Sequence, residues 1–194
     1  MKRIRICLRN ALWMAVLVSL TACAGGGGID KFRDANMDFG SVQTVAVLPF
    51  VNLTRDQQAA ERVRDVFVTA LLGSGDIYVI PTGEVARGIG LAGMANPAAP
   101  STAEIKKLAP LIKADAIISG VVREYGEVRS GSAVANVISV SLQMSEAQTG
   151  RVVWSTSSTK GGIGLKDRLF GGGGQPLNTI TEDAVHDLIN QLYE

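Results

Sequence analysis

Three side chains of this 194-residue sequence are the usual carriers of nucleophilic or metal chemistry: Cys7, Cys23 and His186. A four-coordinate zinc site needs several thiolate or imidazole ligands, and a histidine-based triad needs a nucleophile and an acid beside the ring. No acidic or nucleophilic cluster surrounds His186 in the sequence. We therefore predict a solvent-exposed His186, no catalytic or metal-binding residue and no bound cofactor.

The residues before Cys23 have the composition of a secretory signal. Four basic residues and no acidic residue lie at positions 2–9, and an apolar run follows over residues 11–20. Ten helical residues span about 15 Å, which is half the hydrocarbon core of a bilayer and too short to cross it. We therefore assign residues 1–22 to a signal peptide rather than to a membrane span.

The end of this signal carries the one chemical modification that the sequence indicates. Leu20-Thr21-Ala22-Cys23 resembles the lipobox of bacterial lipoproteins. The resemblance implies that the Cys23 thiol is acylated, that the chain is cut before Cys23, and that the new amino group is acylated too. Two or more acyl chains hold a protein on a membrane almost permanently. The alternative is an ordinary signal peptide followed by an incidental cysteine.

The residue after the cysteine bears on the location. Ala24 stands where an aspartate would be expected in a lipoprotein kept elsewhere, and this resembles the signal for delivery to the outer membrane. The expected location is therefore the periplasmic face of the outer membrane, with the protein anchored by lipid. Cys7 leaves with the signal and Cys23 carries lipid, so no disulfide is expected.

The chain that remains after cleavage is mildly acidic. Residues 1–22 hold 4 of the 19 basic side chains and none of the 18 acidic ones, so residues 23–194 carry 15 basic and 18 acidic side chains and a formal charge of −3. Nucleic acids and anionic lipid surfaces attract basic proteins. We therefore predict no nucleic-acid partner.

A glycine-rich stretch separates the cysteine from the first apolar strand. Residues 24–40 include four consecutive glycines and then turn polar, which predicts a flexible tether within a lipidated segment over residues 23–40. Seventeen residues reach roughly 55 Å when fully extended and about 20–25 Å as a flexible coil. The predicted domain, residues 41–194, therefore stays near its membrane.

The first half of this domain has the pattern of strand, helix and strand. Residues 44–50 are apolar nearly throughout, as in a strand covered on both faces, and residues 77–80 form a second short strand. Residues 54–57 match a capping box, which predicts the start of an amphipathic helix that Gly73 and Gly75 end. A strand–helix–strand unit argues for an α/β layer.

Two shorter helices are predicted next. Residues 88–93 match the dinucleotide fingerprint GxGxxG by letters, but they neither follow a strand directly nor open a long helix. We therefore predict a short helix that ends in glycine turns. Ser101 and Glu104 form a second capping box, and the helix it opens should end or kink at Pro110.

The second half has the pattern of an antiparallel meander closed by a helix. Strands are predicted over residues 116–128, 134–146 and 152–159, and a helix over residues 176–193. In the second strand, apolar residues alternate with serine and glutamine, so one face should be dry and the other polar. The predicted fold is α/β (α+β): one three-layer domain with a mixed sheet of about five strands and helices on both faces.

Glycines also dominate residues 161–174, which look like a phosphate loop only superficially. No Gly-Lys-Ser/Thr follows them, so no lysine is placed to reach a phosphate. The stretch holds several apolar residues, among them Leu169 and Phe170. Either these residues fold back on the closing helix, or they dock on a neighbouring subunit or a second protein. Leu169 and Phe170 are therefore candidate partner contacts.

Four motifs in a fixed order resemble one family. They are the lipobox, residues 46–50 followed by Asn52, residues 114–120 and residues 149–155. In this order they resemble the envelope lipoproteins related to the curli-secretion channel subunit (CsgG), a group that includes the penicillin-binding-protein activator LpoB. The resemblance implies a mixed sheet with helices on both faces and no enzymatic activity. It also implies members that bind proteins or assemble into rings.

The sequence departs from both named relatives. The channel subunit inserts two long hairpins into the outer membrane, whereas we find one hairpin, whose serine-rich face could meet water or line a pore. The synthase activator resembles a domain on a much longer leash. We therefore predict a non-enzymatic lipoprotein that binds an envelope protein or further copies of itself in envelope biogenesis or secretion. The alternatives are a peptidoglycan synthase regulator, a pore-forming secretion subunit and, in another class, a small-molecule or nucleotide-binding enzyme.

The lipobox generates the first testable prediction. Cys23→Ser should abolish acylation and move the protein from the membrane fraction to a soluble fraction, because the substitution removes the thiol that would carry the lipid. Cell fractionation and intact-mass measurement check this, with Cys7→Ser as the matched control. A Cys23→Ser protein that remains in the outer membrane would show that the anchor lies elsewhere.

Overall fold

A computed structural model describes residues 31–131, 133–163 and 174–194. The predicted signal peptide and Cys23 lie outside these residues, as do Leu169 and Phe170, so those assignments stay predictions. The described strands are β1 (Phe32–Arg33), β2 (Thr44–Val47), β3 (Val51–Asn52), β4 (Tyr78–Val79), β5 (Ala116–Ser130), β6 (Ala133–Glu146) and β7 (Val152–Gly161). The described α-helices are α1 (Ala59–Ser74), α2 (Thr82–Ala92), α3 (Thr102–Ile112) and α4 (Leu177–Tyr193).

The described strands form one mixed sheet between two pairs of helices. The strand order is β1–β7–β6–β5–β2–β4, and β3 pairs with β5. Strand β2 runs parallel to β4 and β5, whereas β5, β6 and β7 form the antiparallel meander. Helices α1 and α4 pack on one face and α2 and α3 on the other, with a separate apolar core under each pair. The predicted three-layer α/β domain is confirmed, and β1 and β3 extend the expected sheet of about five strands.

Strand β2 is buried on both faces, as its apolar run predicts. Val45, Ala46 and Val47 are all buried, because α1 and α4 cover one side and α2 and α3 the other. The strand is shorter than predicted and ends at Val47. Pro49 has no N–H to donate, and the chain pairs with β5 again only at β3.

The capping box predicted at residues 54–57 is wrong. Helix α1 begins at Ala59, and its N-cap residue forms no side-chain hydrogen bond with the helix. The Thr54 hydroxyl instead donates to Asn52 Oδ1 at 2.9 Å, and Asp56 Oδ1 accepts from the N–H of Gln58 at 2.9 Å. The capping residues therefore serve the turn after β3. The second box, Ser101 with Glu104, is confirmed at the start of α3.

Part of the predicted tether belongs to the folded domain. Strand β1 pairs antiparallel with β7, and Met37 and Phe39 pack against the main core. The Arg33 guanidinium lies 3.7 Å from the centre of the Phe39 ring and donates to the carbonyl of Leu192 at 2.9 Å. The expected boundary at residue 41 therefore lies too far along the chain. A two-residue strand leaves no periodic pattern from which to predict it.

Helix α4 is held on β7 by apolar contacts and by polar groups. Its predicted inward residues are all buried: Val185, Leu188, Ile189 and Leu192. Trp154 is fully buried, and its indole Nε1 donates to the carbonyl of Gln191 at 3.2 Å. The Thr156 hydroxyl donates to Gln191 Oε1, one turn from Asp187. The sheet and its closing helix are therefore joined along several residues of β7.

Asp187 adds a charged contact to this joint. The Ser158 hydroxyl donates to Asp187 Oδ2 at 2.6 Å, and Lys160 Nζ lies 3.1 Å from the same oxygen. Partial burial acts to raise the pKa of the Asp187 carboxyl, but hydrogen bonds from Ser158 and Lys160 and the charge of Lys160 outweigh it, so the pKa is lowered. This contact therefore stabilises the fold above the ordinary aspartate pKa and is lost as the pH falls through the lowered value.

The glycines of the GxGxxG match serve helix packing and capping. A Cβ atom at Gly88 would lie 2.2 Å from Ile112 Cγ2 and 3.0 Å from Leu108 Cδ1, so α2 and α3 approach too closely there for a side chain. Gly93 ends α2 with a φ of 64°, in the left-handed region. The predicted short helix with a glycine end is confirmed.

Trp154→Ala should lower the free energy of unfolding by about 3–5 kcal/mol, because it empties a fully buried site. Denaturant unfolding followed by circular dichroism measures this. Val152→Ala is the matched control two residues earlier, since the Val152 side chain is 38% exposed and its truncation should cost little. Equal denaturant midpoints for Trp154→Ala and the wild type would contradict the packing described.

Two glycines of α2 should respond to alanine in opposite directions. Gly88→Ala should destabilise the protein by about 1–3 kcal/mol through overpacking against α3. A Cβ atom at Gly90 would have no neighbouring atom within 4 Å, so Gly90→Ala should stabilise the helix by about 0.5–1 kcal/mol. Thermal unfolding of the two variants checks this. A melting temperature that rises equally for both would show that α2 and α3 do not approach as described.

Candidate functional site

Beyond the start of β5, the face of the meander on the α2 and α3 side of the sheet has no helix over it in the described part of the chain. The core beneath α2 and α3 takes Ala46 from β2 and Ile117 from the start of β5, with Leu48 and Ile80, which follow β2 and β4. Helix α4 packs on β6 and β7 from the opposite side. We call the uncovered residues the open face: Ser119, Val121, Glu124, Ser139, Ser141, Gln143, Ser155, Ser157 and Thr159.

Strand register arranges the open face in rows. Ser119, Gln143 and Ser155 form one row across β5, β6 and β7, and Val121, Ser141 and Ser157 form the next. On the reverse side of β6, the residues Ile138, Val140, Leu142 and Met144 are buried in the main core. The predicted dry and polar faces of this strand are therefore confirmed. The polar side presents hydroxyl and amide groups.

Two apolar side chains lie at the border of the open face. Phe32 of β1 stands opposite Ser155 in register and is 49% exposed. Val152, at the start of β7, stands opposite Ser145 and is also partly exposed. The open face therefore combines a hydrogen-bonding surface with exposed apolar side chains at its border.

A groove of ≈ 280 Å³ lies in the open face where it meets the loop between α2 and α3. Its polar lining consists of Ser119, Arg123, Ser141 and Gln143. The apolar wall consists of residues 98–100 of the loop, with Val51 and Val121. Ser141 Oγ is buried and has no hydrogen-bond partner among the described residues. A buried polar atom without a partner is rare and calls for an explanation.

Arg123 reaches this groove through an irregularity in the sheet. The register between β5 and β6 shifts between Val122 and Glu124, so Arg123 has no residue opposite it on β6. Such an extra residue is a β-bulge, which changes the direction of a side chain and is common beside functional sites. Among the described residues, Arg123 forms no ion pair. The groove therefore combines one positive charge with three neutral hydrogen-bonding groups.

The motifs that carried the family resemblance serve the fold rather than this groove. Asp115 Oδ2 accepts from the N–H groups of Gln43 and Thr44 at 3.1 and 2.8 Å, which ties β5 to the start of β2. Gly150 has a φ of 67°, and a Cβ atom there would lie 2.7 Å from the carbonyl oxygen of Thr102. These residues therefore stand where the chain turns or where two segments meet.

The described residues give little basis for acid–base or metal chemistry. Over residues 31–131, 133–163 and 174–194, no three histidine, cysteine, aspartate or glutamate side chains are grouped as metal ligands. His186 is exposed on α4, on the other side of the sheet from the open face. In that same part of the chain, no helix is both long and apolar enough to span a bilayer. The arrangement can bind by hydrogen bonds and by one charge.

The sequence predicted this site only in part. Alternation in β6 located the polar strand face, but the groove also depends on the loop at residues 98–100 and on the position of Arg123. A one-residue register shift has no composition of its own, so Arg123 was missed. The candidate contacts Leu169 and Phe170 lie outside the described residues, so the structure does not relate them to the groove.

Solved structures share this fold at low sequence identity. The PelC dodecamer from Paraburkholderia phytofirmans has a TM-score of 0.56 and 15% identity, over 85% of this chain and 98% of that chain. Lipoprotein GNA1162 from Neisseria meningitidis has a TM-score of 0.56 and 21% identity, over 78% of this chain and 98% of that chain. At these identities the likeness shows the fold alone.

The LpoB C-terminal domain from Salmonella enterica is less similar, with a TM-score of 0.48 and 14% identity, over 66% of this chain and 87% of that chain. This likeness is too low to support an argument about function. The relation to the curli-secretion channel subunit stays a prediction.

Sequence comparison gives the family. No curated protein sequence matches this chain. A family model described as "Putative lipoprotein GNA1162-like" matches residues 35–191, which is most of the chain and includes every described strand from β2 to β7. The protein belongs to the GNA1162-like lipoprotein family.

Proposed function

We propose that this protein is a non-enzymatic lipoprotein of the outer membrane, facing the periplasm, that binds or assembles proteins in envelope biogenesis or secretion. The observation that carries the proposal is the open face, which leaves one side of β6 and β7 free for contact. Membership of a lipoprotein family supports the membrane anchor, and the lipobox at Cys23 supports the same point. The open face is the proposed contact surface.

A polar strand face alone would not support this function, because antiparallel sheets commonly face water on one side. Three further features distinguish this face. It contains a groove, it buries a hydroxyl that has no partner among the described residues, and it is bordered by exposed Phe32 and Val152. These features support a surface that a partner completes.

The same groups argue for binding rather than catalysis. A serine hydroxyl becomes a nucleophile when a general base lies within hydrogen-bond reach and a third group orients that base. Among the described residues, the groove has the hydroxyls of Ser119 and Ser141 but no histidine or carboxylate in its lining. Arg123 and Gln143 can hold a ligand in place, and neither is a base.

Self-assembly is one form that this binding can take. PelC, which has the same fold, is a dodecamer. Contact between the open face of one subunit and a different surface of the next is heterologous, and such contacts build closed rings when the rotation between subunits closes. An anchored protein of this fold would thereby form an assembly at the membrane surface.

The proposal predicts that an arginine introduced on the open face disrupts protein complexes, whereas an arginine introduced elsewhere on the surface does not. Ser157→Arg places a bulky cation in the middle of the open face and should abolish oligomers or crosslinked complexes, while the melting temperature stays within a few degrees of the wild type. Thr69→Arg adds the same side chain to an exposed position of α1 and should change neither. The measurements are native mass spectrometry of the full chain in detergent and crosslinking in intact envelopes.

Two results would contradict the proposal. The first is a wild-type protein that is monomeric in detergent and forms no crosslinked complex in the envelope. The second is a Ser157→Arg protein that keeps every wild-type complex, which would place the contact surface elsewhere. If Thr69→Arg also lost its complexes, the added charge would disrupt assembly wherever it was placed, and the result would not assign the contact to the open face.

A further inference from the structure

We infer that the groove in the open face is a carboxylate-binding site, which takes an acidic group carried by an extended peptide segment of a partner. This inference rests on the proposed function, because it names the chemistry by which the open face would recognise a protein. The groove is built by the open face and the loop at residues 98–100. Its occupant is inferred from charge, from hydrogen-bonding capacity and from size.

The charge of the groove favours an anion. Arg123 is the charged side chain in the described lining, and its acidic neighbour Glu124 lies opposite Ser139, outside that lining. A guanidinium presents its N–H groups in a rigid fork that matches the two oxygens of a carboxylate. Hydrogen bonds between ionised partners are roughly twice as strong as neutral ones. An anionic ligand would therefore gain more from this groove than a neutral one.

The neutral groups of the groove are also able to donate to an anion. Ser119 and Ser141 each carry one hydroxyl donor, and Gln143 carries an amide with two. Ser141 Oγ is buried and has no partner among the described residues, so a carboxylate would contact it only after its side chain turned toward the groove. The Ser119 hydroxyl and the exposed Gln143 amide are the neutral donors that a ligand in the groove meets first.

The position of Arg123 is consistent with this role. Residues 122 and 124 keep their places opposite Val140 and Ser139, and the extra residue between them is the arginine. The strand therefore supplies a cation at the groove without displacing the apolar residues that face the main core. Arg129, farther along β5, instead lies 3.3 Å from Glu127 in an exposed ion pair.

Size and wall composition favour a group on a peptide over a whole small molecule. The groove measures ≈ 280 Å³, just below the roughly 300–1,000 Å³ of small-molecule pockets. No aromatic ring is present among the described lining residues, so these residues offer a nucleobase no stacking platform. Small apolar side chains form its wall, and the rows of the open face continue beyond it toward β7. This shape suits an extended segment with one acidic group and one short apolar side chain.

The experiment uses the isotope-labelled full chain in detergent micelles and follows backbone amide signals by NMR. The probes are acetyl-Ala-Val with a free carboxyl end, the same dipeptide as its amide, and acetyl-Ala-Asp-Val amide, each at millimolar concentration. Carboxylate probes should give saturable shifts near the groove, and the neutral amide should not. The free-acid dipeptide tests a chain-terminal carboxylate, and the aspartate peptide tests a side-chain carboxylate. Saturable binding of either supports the inference.

Variants separate the groove from the rest of the surface. Arg123→Gln should weaken carboxylate binding by about tenfold, the loss of one charge-assisted interaction. Arg129→Gln is the matched control on the same strand and should leave binding unchanged. Any of three results would overturn the inference: no saturable shift from either acid, equal binding of the neutral amide, or equal affinity in Arg123→Gln and the wild type.

An acidic sugar gives a further control. Sodium glucuronate presents a carboxylate on a ring, and its tighter binding than both acidic peptides would assign the groove to carbohydrate and overturn the peptide inference. The assembly measurements on Ser157→Arg are independent of these titrations. Failed titrations with intact, Ser157-dependent complexes would remove the carboxylate site and leave the proposed function standing.

Discussion

The unequal covering of the two faces of the sheet is the constraint on which the rest of the structure depends. Parallel strands need both faces buried, whereas antiparallel strands can leave one face in water. The parallel strand β2 is buried on both faces between the two helix layers. The antiparallel strands β6 and β7 are covered by α4 on one face and leave the open face uncovered. Because α4 and buried Trp154 already stabilise β7 from one side, the other side can carry residues chosen for contact.

The sequence predicted the parts of the fold that rest on repeated patterns. Alternation in β6, the apolar run of β2 and the inward stripe of α4 each repeat over several residues, so burial of one member supports the others. Features that depend on a single residue were missed. Thr54 was assigned to a helix cap because the local letters fit, but Asn52 accepts its hydroxyl. Strand β1 is defined by its pairing with β7, and the unpaired position of Arg123 is defined by the register between β5 and β6. Both depend on segments that are distant in the sequence.

The family motifs explain why fold was more predictable than function. Asp115 joins two strands by accepting two backbone N–H groups, and Gly150 sits where a side chain would strike Thr102. These demands come from the backbone, so any protein with this fold would meet them whatever it binds. The groove makes no such demand on the chain. Residues that the fold leaves free can therefore differ between proteins that share the fold, and such proteins can bind different partners.

The contacts that residues 31–33 make with the domain bear on how the domain would sit at a membrane. Lys31 Nζ lies 3.3 Å from Glu194 Oε2, and β1 follows at the edge of the sheet. Lys31 comes eight positions after Cys23, a stretch that spans at most about 26–29 Å. A domain acylated at Cys23 would thus diffuse in two dimensions with its β1 edge held toward the lipid. Neighbouring copies would meet sideways, in a narrow layer and with similar orientation, which raises their effective concentration without any added affinity.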